Sequence, residues 1–174
     1  ITRQYLLAHP PAMMEDPYTL ALVANALLAV DPSGMDCAPY LDRLEELKEL
    51  SGDGKQVSWR ARSARSLFYG AGLTRDVETT SLATLAMVRT GRHPTTARGA
   101  LAWIVDQRDY AGTWHSTQAT ILALKALLAG TGKPLSDGQR QHVEIKCDQQ
   151  LVRDLVVPTS QSDVVQQIDM SPLV

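Results

Sequence analysis

Three stretches of the chain are rich in alanine and apolar on nearly every side of a helix. They are YTLALVANALLAV from Tyr18, ETTSLATLAMV from Glu78 and STQATILALKALL from Ser116. A helix of this kind must be packed on more than one side. Two more amphipathic segments, Ala38 to Leu50 and Thr96 to Gln107, lie between them. Buried helices that alternate with exposed ones predict two concentric layers, an inner and an outer ring of helix pairs.

Polar residues and glycines next to these runs predict where the helices begin and end. The chain opens on a helix within Ile1 to His9, which the Pro10-Pro11 pair stops. Asp16, with Pro17 directly after it, is the first predicted N-terminal cap. Asp76 is the predicted cap of a helix from Val77 to Arg89. The last two helices are predicted to begin at Thr95 or Thr96 and at Ser116 or Thr117. The predicted stops are the Asp31-Pro32-Ser33-Gly34 turn, Gly91 and Gly130.

The parts between the apolar runs are more varied. In Ala38 to Leu50, leucine recurs every third residue between charged residues, which predicts a surface helix whose charges form a solvated face. Val57 to Trp59 is predicted as a short extended piece whose indole ring enters the core. Ala61 to Ala71 bears arginines and is predicted as an irregular connection; an anion site there is the alternative, but Glu78 nearby favours an ordinary solvated surface.

After Pro134 the pattern changes to β-branched and partly alternating residues. Three strand segments are predicted, Val143 to Cys147, Leu151 to Val157 and Val164 to Met170. The predicted fold class is therefore mainly α, with paired inner and outer helices followed by a short antiparallel β segment.

Composition excludes some classes of function. The chain has 174 residues and a net charge of -2, so electrostatics do not favour nucleic acid or an acidic membrane surface as a partner. No apolar run is long enough to span a bilayer, and Ile1 to Ala8 lacks the features of a signal peptide, so we expect an excised piece of a longer protein. Cys37 and Cys147 either pair or remain two buried thiols, because their spacing decides neither.

A denser motif lies in the stretch from Arg98 to Leu127. Arg98-Gly99, Trp103-Ile104, Gln107 and Gly112-Thr113-Trp114 resemble the glutamine-tryptophan repeat of the α/α-toroid superfamily, which includes terpenoid cyclases and prenyltransferases. In such a repeat, glutamine can cap one helix end while tryptophan stacks over the neighbouring helix. The resemblance implies that Gln107 and Trp114 tie neighbouring helices together.

Within that superfamily the amino-acid sequence most resembles the thioester domain of alpha-2-macroglobulin-like and complement proteins. The matching segments are DPYTLALVANAL, VETTSLATLAMV and WIVDQRDYAGTWHSTQATILALKAL, in the family's order. The segment from His142 onward resembles the returning half of the CUB-type domain that follows it. The resemblance implies that residues 1–132 are the C-terminal part of a thioester-type toroid domain and residues 133–174 a strand segment of a CUB-type domain. Many Ala and Arg residues favour a bacterial member.

The function implied by this resemblance is proteinase trapping, in an extracellular or periplasmic protein. A buried thioester between a cysteine and a glutamine becomes exposed when cleavage changes the protein's shape, and it then acylates the attacker. Expected partners are proteinases and neighbouring macroglobulin-like domains. The CxEQ motif is absent here, since Cys37 sits in MDCAPY and Cys147 in KCDQQ.

By the same resemblance, the thioester helix and the assisting histidine would lie before Ile1. None of the four histidines, His9, His93, His115 and His142, falls at the matching position. We therefore expect no catalytic, cofactor-binding or metal-binding residue in this chain, no cofactor and no enzymatic activity.

Three alternatives stay open. A complement-like protein would use the same fold for covalent attachment to surfaces. A toroid enzyme is disfavoured, because a squalene-type cyclase needs a DxDD acid motif and an aromatic cavity, whereas aromatic residues make up 5% of this chain. MDCA resembles the acid motif of oxidosqualene cyclases only superficially, and the zinc set of a prenyltransferase is not visible. A plain helical-repeat scaffold without chemistry is the last alternative.

Overall fold

A computed structural model describes residues 2–61, 72–132, 141–147 and 150–157 of the chain. The described helices and strands follow one another in chain order. They are α1 (Thr2–Leu7), a 3-10 turn (Pro11–Met13), α2 (Pro17–Val30), α3 (Ala38–Glu46), β1 (Glu49–Leu50), β2 (Val57–Ser58), α4 (Leu73–Thr90), α5 (Pro94–Asp106), α6 (Thr117–Gly132), β3 (Gln141–Cys147) and β4 (Gln150–Val157).

The three alanine-rich helices form the inner layer, as the sequence predicts. α4 lies between α2 and α6, while α3 packs on α2 and α5 packs on α4. Every residue of α4 from Val77 to Val88 is buried. Asn25 pins the first pair, because its side-chain amide donates to Leu82 O at 2.9 Å. The fold-class prediction of an α/α toroid with inner and outer helices is confirmed.

The predicted start of α2 is confirmed in atomic detail. Asp16 precedes the helix in an extended conformation, and its carboxylate accepts a hydrogen bond from the backbone N–H of Thr19 at 3.2 Å. Pro17 takes the first helical position, where a missing N–H costs nothing. The indole of Trp59 also lies where expected, fully buried, with Nε1 donating to Leu44 O at 2.7 Å.

The predicted extent of the surface helix was wrong at its C-terminal end. α3 ends at Glu46, and Glu49 and Leu50 pair instead with Ser58 and Val57 in an antiparallel hairpin. The turn after Leu50 closes when the Gly54 N–H donates to Ser51 O at 2.9 Å. Leu50 continues the leucine spacing but is exposed, so the hairpin overrides the helical period there.

Two predicted N-terminal caps were also wrong. α4 begins at Leu73, after Gly72 with φ of 59°, so Asp76 lies in the first turn and accepts from the backbone N–H of Ala61 at 3.3 Å. α5 begins at Pro94, because proline suits the first turn and His93 before it adopts a left-handed conformation with φ of 50°. Thr96 is then inside the helix and buried.

Gly130 does not stop α6, which continues to Gly132. A Cβ atom at Gly130 would lie 2.7 Å from Cδ1 of Leu101 in α5, so the missing side chain lets the two helices approach. Gly91 does stop α4, in the left-handed conformation with φ of 71°, as predicted.

The β segment contains the first two predicted strands as a hairpin. β3 and β4 are antiparallel, with Val143 opposite Leu155, and the register shifts between Ile145 and Lys146. The third predicted strand, Val164 to Met170, lies outside the described residues, as do residues 62–71 of the predicted irregular connection.

Candidate functional site

The loop between α5 and α6 carries the residues that are most specific in the sequence, and Asp109 organises it. Its Oδ1 accepts hydrogen bonds from the backbone N–H groups of Ala111 at 2.9 Å and Thr113 at 2.8 Å. Its Oδ2 accepts from the Thr113 hydroxyl at 2.7 Å. These hydrogen bonds lower the pKa of Asp109, and the one from the Thr113 side chain has the largest effect. The loop is therefore built around one ionised carboxylate.

Sequence reasoning missed Asp109, although a signal was present. Aspartate often accepts hydrogen bonds from backbone N–H groups two residues on and so closes a turn. Gly112, three residues after Asp109, has φ of 82° and donates its N–H to Asp109 O at 3.0 Å. The Asp-x-x-Gly spacing could have identified the turn.

Trp114 leaves this loop and enters the interior. The side chain is 3% exposed and packs in a cluster with Val77 and Leu85 of α4, Ile104 of α5, and alanines of α6. Its indole Nε1 donates to Ile104 O at 2.6 Å, which satisfies the ring's only polar group. The structure thus places Trp114 where three helices meet.

The start of α6 follows directly. The Ser116 hydroxyl accepts from the backbone N–H of Ala119 at 3.0 Å, so Ser116 is the cap and Thr117 is the first helical residue. The Thr120 hydroxyl accepts from the Trp114 N–H at 3.1 Å and holds the loop against the helix. A surface cavity of about 370 Å³ adjoins this start, lined by Thr113, His115, Ser116, Thr117, Thr120 and Ile121.

His115 is exposed at the mouth of this cavity. Its backbone is left-handed, with φ of 62°, and its Nδ1 lies 3.9 Å from Asp109 Oδ2, beyond hydrogen-bond distance. In this geometry no hydrogen bond to Asp109 orients the exposed imidazole ring. Four hydroxyl groups, one imidazole ring and the side chain of Ile121 line the cavity.

Gln107 contributes through its backbone. It follows the last residue of α5, and its N–H donates to Trp103 O at 3.1 Å and to Ile104 O at 3.3 Å. The predicted tie between helices through the Gln107 side chain stays a prediction, whereas Trp114 makes such a tie.

The other histidines and the cysteines lie apart from this loop in sequence. His9 Nδ1 lies 2.9 Å from Tyr5 O at the end of α1, and His93 Nε2 lies 2.9 Å from Asp42 Oδ1. His142 and Cys147 are in β3. Cys37 is a buried free thiol that donates to Gly34 O at 3.3 Å, and burial raises its pKa. A thiol in this state is a poor nucleophile.

A polar cluster between α3 and α5 was not expected from the sequence. Asp42 accepts from Arg92, which is the main cause of its lowered pKa, and also faces His93. Burial opposes ionisation of Glu45, but hydrogen bonds from Lys48 and Thr96 outweigh burial and lower its pKa. Part of the predicted solvated face of α3 therefore joins two helices.

Glu78 is the clearest departure from the predicted solvated surface. Its side chain is completely buried in α4, and burial raises the pKa of its carboxyl group. Its burial could not be inferred from the local sequence, because α2 and α6, which pack on α4, come from distant parts of the chain.

The described ranges lack a metal-ligand cluster and a membrane-spanning helix. They contain no group of three or more histidine, cysteine or acidic residues that could hold a metal ion. None of their helices has the length and hydropathy needed to cross a membrane.

Comparison with known proteins adds a family to this geometry. The family profile of the A-macroglobulin TED domain matches residues 2–129. Complement C3 of Lethenteron camtschaticum is 29% identical over 121 residues, which cover 70% of this chain and 7% of that protein. Complement C3 of Naja naja is 31% identical over 115 residues, 66% of this chain and 6% of the relative.

A venom protein gives a similar match. Ophiophagus venom factor of Ophiophagus hannah is 33% identical over 116 residues, which cover 66% of this chain and 6% of that protein. The chain thus spans well under a tenth of the length of these curated relatives.

Proposed function

Because the chain belongs to the A-macroglobulin TED-domain family, we propose that it is the C-terminal part of a thioester-type domain in a proteinase-trapping protein. The observation that carries this proposal is the match over residues 2–129, which takes in α1 through most of α6 and the loop around Trp114. In this proposal the chain supplies a packed scaffold, and the reactive bond lies outside it.

The chemistry assigned to the parent protein is acyl transfer. A nucleophile on the proteinase attacks the thioester carbonyl carbon, the carbon–sulfur bond breaks, and the cysteine leaves as a thiolate that takes up a proton. The proteinase becomes joined to the former glutamine side chain by an amide or ester bond. Such a bond can wait unreacted while buried and transfer rapidly once a conformational change exposes it.

The residues of this chain support a scaffolding role. Cys37 is followed by Ala-Pro-Tyr, so the glutamate and glutamine of a CxEQ motif are absent there. Its thiol is 1% exposed, has a raised pKa and donates a hydrogen bond to Gly34 O. The thiolate that a thioester needs is therefore disfavoured at Cys37.

A labelling experiment on the purified chain tests the scaffolding role. Methylamine opens thioesters and becomes incorporated in stoichiometric amount. Because the proposal places the thioester outside this chain, mass spectrometry should find no methylamine adduct on its 174 residues. The Cys37→Ser variant is the matched control and should give the same mass shift as the wild type, namely none. Stoichiometric incorporation that Cys37→Ser abolishes would contradict the proposal.

Trapping itself is tested on the full-length parent protein. We expect an active proteinase to become covalently attached in a complex that survives denaturing electrophoresis. The same proteinase with its active site blocked should not attach, because it cannot trigger the change in shape. Pretreatment of the parent with methylamine should abolish attachment; attachment that persists would show that the link is not thioester-derived.

The second candidate is covalent tagging of surfaces, as in complement. It is favoured by the relatives with similar sequences, two of which are complement C3 proteins. The two functions differ in the acceptor, so the parent should be activated beside both a proteinase and a polysaccharide surface. Parent protein recovered mainly in covalent linkage to the proteinase supports trapping, and parent protein recovered mainly on the polysaccharide supports tagging.

The domain boundary belongs to the same proposal. The family match ends at residue 129 and β3 begins at Gln141, which supports a change of domain after residue 132. We assign residues 133–174 to a CUB-type domain. We also place the parent outside the cytoplasm, extracellular or periplasmic, as a bacterial member of the family whose partners are proteinases and neighbouring macroglobulin-like domains.

A further inference from the structure

Glu78 occupies an unusual position for a carboxyl group. Its side chain is completely buried, and neither carboxyl oxygen has a hydrogen-bond partner. An ionised carboxylate without partners is costly in an apolar interior, whereas the protonated group costs far less. The position therefore suits the neutral acid better than the anion.

The groups around Glu78 do not remove this preference. Arg75 lies one turn earlier in α4 and favours the ionised form, but burial has the larger effect on the pKa of Glu78. The Nε and Nη2 atoms of Arg75 are buried without partners, so the guanidinium makes no hydrogen bond with the carboxyl group. Across the helix pair, Tyr18 at the start of α2 is a neighbour of Glu78. Burial is the main cause that raises the pKa of Tyr18, and the negative charge of Glu78 is the second.

Asp76, in the first turn of α4, is a second carboxyl group whose pKa is raised by burial, and it accepts a hydrogen bond from the Ala61 N–H. Asp16, just before α2, is a further negative group that acts on Tyr18. The charged side chains on the other helices packed against α4 are exposed or joined in their own ion pairs: Asp42, Arg43, Glu45 and Glu46 on α3, Arg98 and Asp106 on α5, and Lys125 on α6.

The packing of α2 on α4 determines what ionisation would do. One turn beyond Glu78, Asn25 holds the pair together by donating to both Ala21 O at 2.8 Å and Leu82 O at 2.9 Å. Before that point the pair is closed by Tyr18 and by apolar side chains. Movement of the first turns of α4 away from α2, with the Asn25 contact as the fixed point, would expose a charged Glu78 to water.

We propose that Glu78 is a proton-dependent latch, which closes the first turns of α4 onto α2 while its buried carboxyl group carries a proton and releases them when that proton is lost. The step breaks one O–H bond and passes the proton to solvent, and no other reactant is needed. Loss of the proton leaves the Asn25–Leu82 contact in place, so the helix pair opens at one end only.

The direction of the pH effect follows from the raised pKa of Glu78 in the folded chain. The stabilising contribution is complete below the pKa of a glutamate in the unfolded chain, about 4.3, and is lost as the pH rises through the folded-state pKa. Alkaline conditions therefore open the latch, and acidic conditions keep it closed.

Hydrogen exchange on the whole chain tests the latch, with rates corrected for the intrinsic effect of pH. Protection of the amides from Val77 to Ser81 should fall as the pH rises, by about tenfold for each unit by which burial raises the pKa of Glu78. Protection of Leu82 and later amides should change less. Glu78→Gln keeps the shape but cannot ionise, and should reduce the pH dependence to the part that Asp76 contributes. Glu15→Gln, which changes an exposed carboxyl group before α2, is the matched control and should retain the full pH dependence.

Equal pH dependence in wild type and Glu78→Gln would overturn the latch. If Glu78→Gln does not fold, carbon-13 NMR of the wild-type side-chain carboxyl groups decides instead. A Glu78 signal that titrates well above those of the exposed glutamates supports the proposal. A signal that titrates together with them overturns it.

Discussion

α4 and α6 look alike in sequence but differ in what surrounds them. α4 has α2 on one side and α6 on the other, and it buries twelve consecutive residues from Val77 to Val88. α6 packs on α4 through Ala119, Ala123 and Ala126, while Ile121, Leu124 and Leu128 on another face are exposed. Apolar character all round a helix therefore identifies the inner layer, but burial depends on how many neighbours the layer provides.

The largest effect on the free energy of unfolding is expected at Trp114, where α4 and α6 meet. Trp114→Ala removes the ring that fills the space between α4, α5 and α6, so we expect a loss of about 3–5 kcal/mol in the free energy of unfolding, measured by urea denaturation. Tyr110→Ala, in the same loop but fully exposed, is the control and should change stability by about 0.5 kcal/mol or less. Similar small losses at both positions would show that Trp114 does not join the helices.

A matched pair of leucines sharpens the comparison directly. Leu85 of α4 is 6% exposed and Leu124 of α6 is 47% exposed. Leu85→Ala should cost about 2–5 kcal/mol in the free energy of unfolding, because it leaves a cavity in the core, whereas Leu124→Ala should cost about 0.5 kcal/mol or less. If the two substitutions cost the same in thermal denaturation, the exposed face of α6 is buried in solution.

The smallest effect concerns how α6 begins. Ser116→Ala deletes the hydroxyl that accepts from the Ala119 N–H and should lower the free energy of unfolding by about 1 kcal/mol. Thr117→Ala, at the exposed first helical residue, is the neighbouring control and should be close to neutral. A larger effect at Thr117 in circular dichroism melts would move the cap by one residue.

The layers could be predicted from sequence because each helix carries its own pattern. Alanine-rich runs indicate the inner layer, Asp16 and Ser116 are caps whose partners lie three residues on, and Trp59 is a large ring in an extended piece. All of these signals are local. Asp76 and Gly130 misled because their roles depend on Ala61 and Leu101, which come from other segments.

The candidate site was predicted only in part for the same reason. The loop around Trp114 was found from its motif, and Asp109 could have been, because its partners Ala111 and Thr113 lie in the same loop. The burial of Glu78 and the cluster of Asp42 with Arg92 depend on segments that the motif does not contain. A charged residue in an apolar run can be either a solvated edge or a buried acid, and the sequence of one helix cannot distinguish them.

The contact between Asn25 and Leu82 also bears on the rate at which this chain folds. The hydrogen bond joins residues that are 57 positions apart, so a long loop must close before the first two inner helices can meet. Proteins dominated by such distant contacts fold more slowly than helical bundles held together by near neighbours. We therefore expect the slow step of folding to be the assembly of the inner layer and not the formation of any single helix.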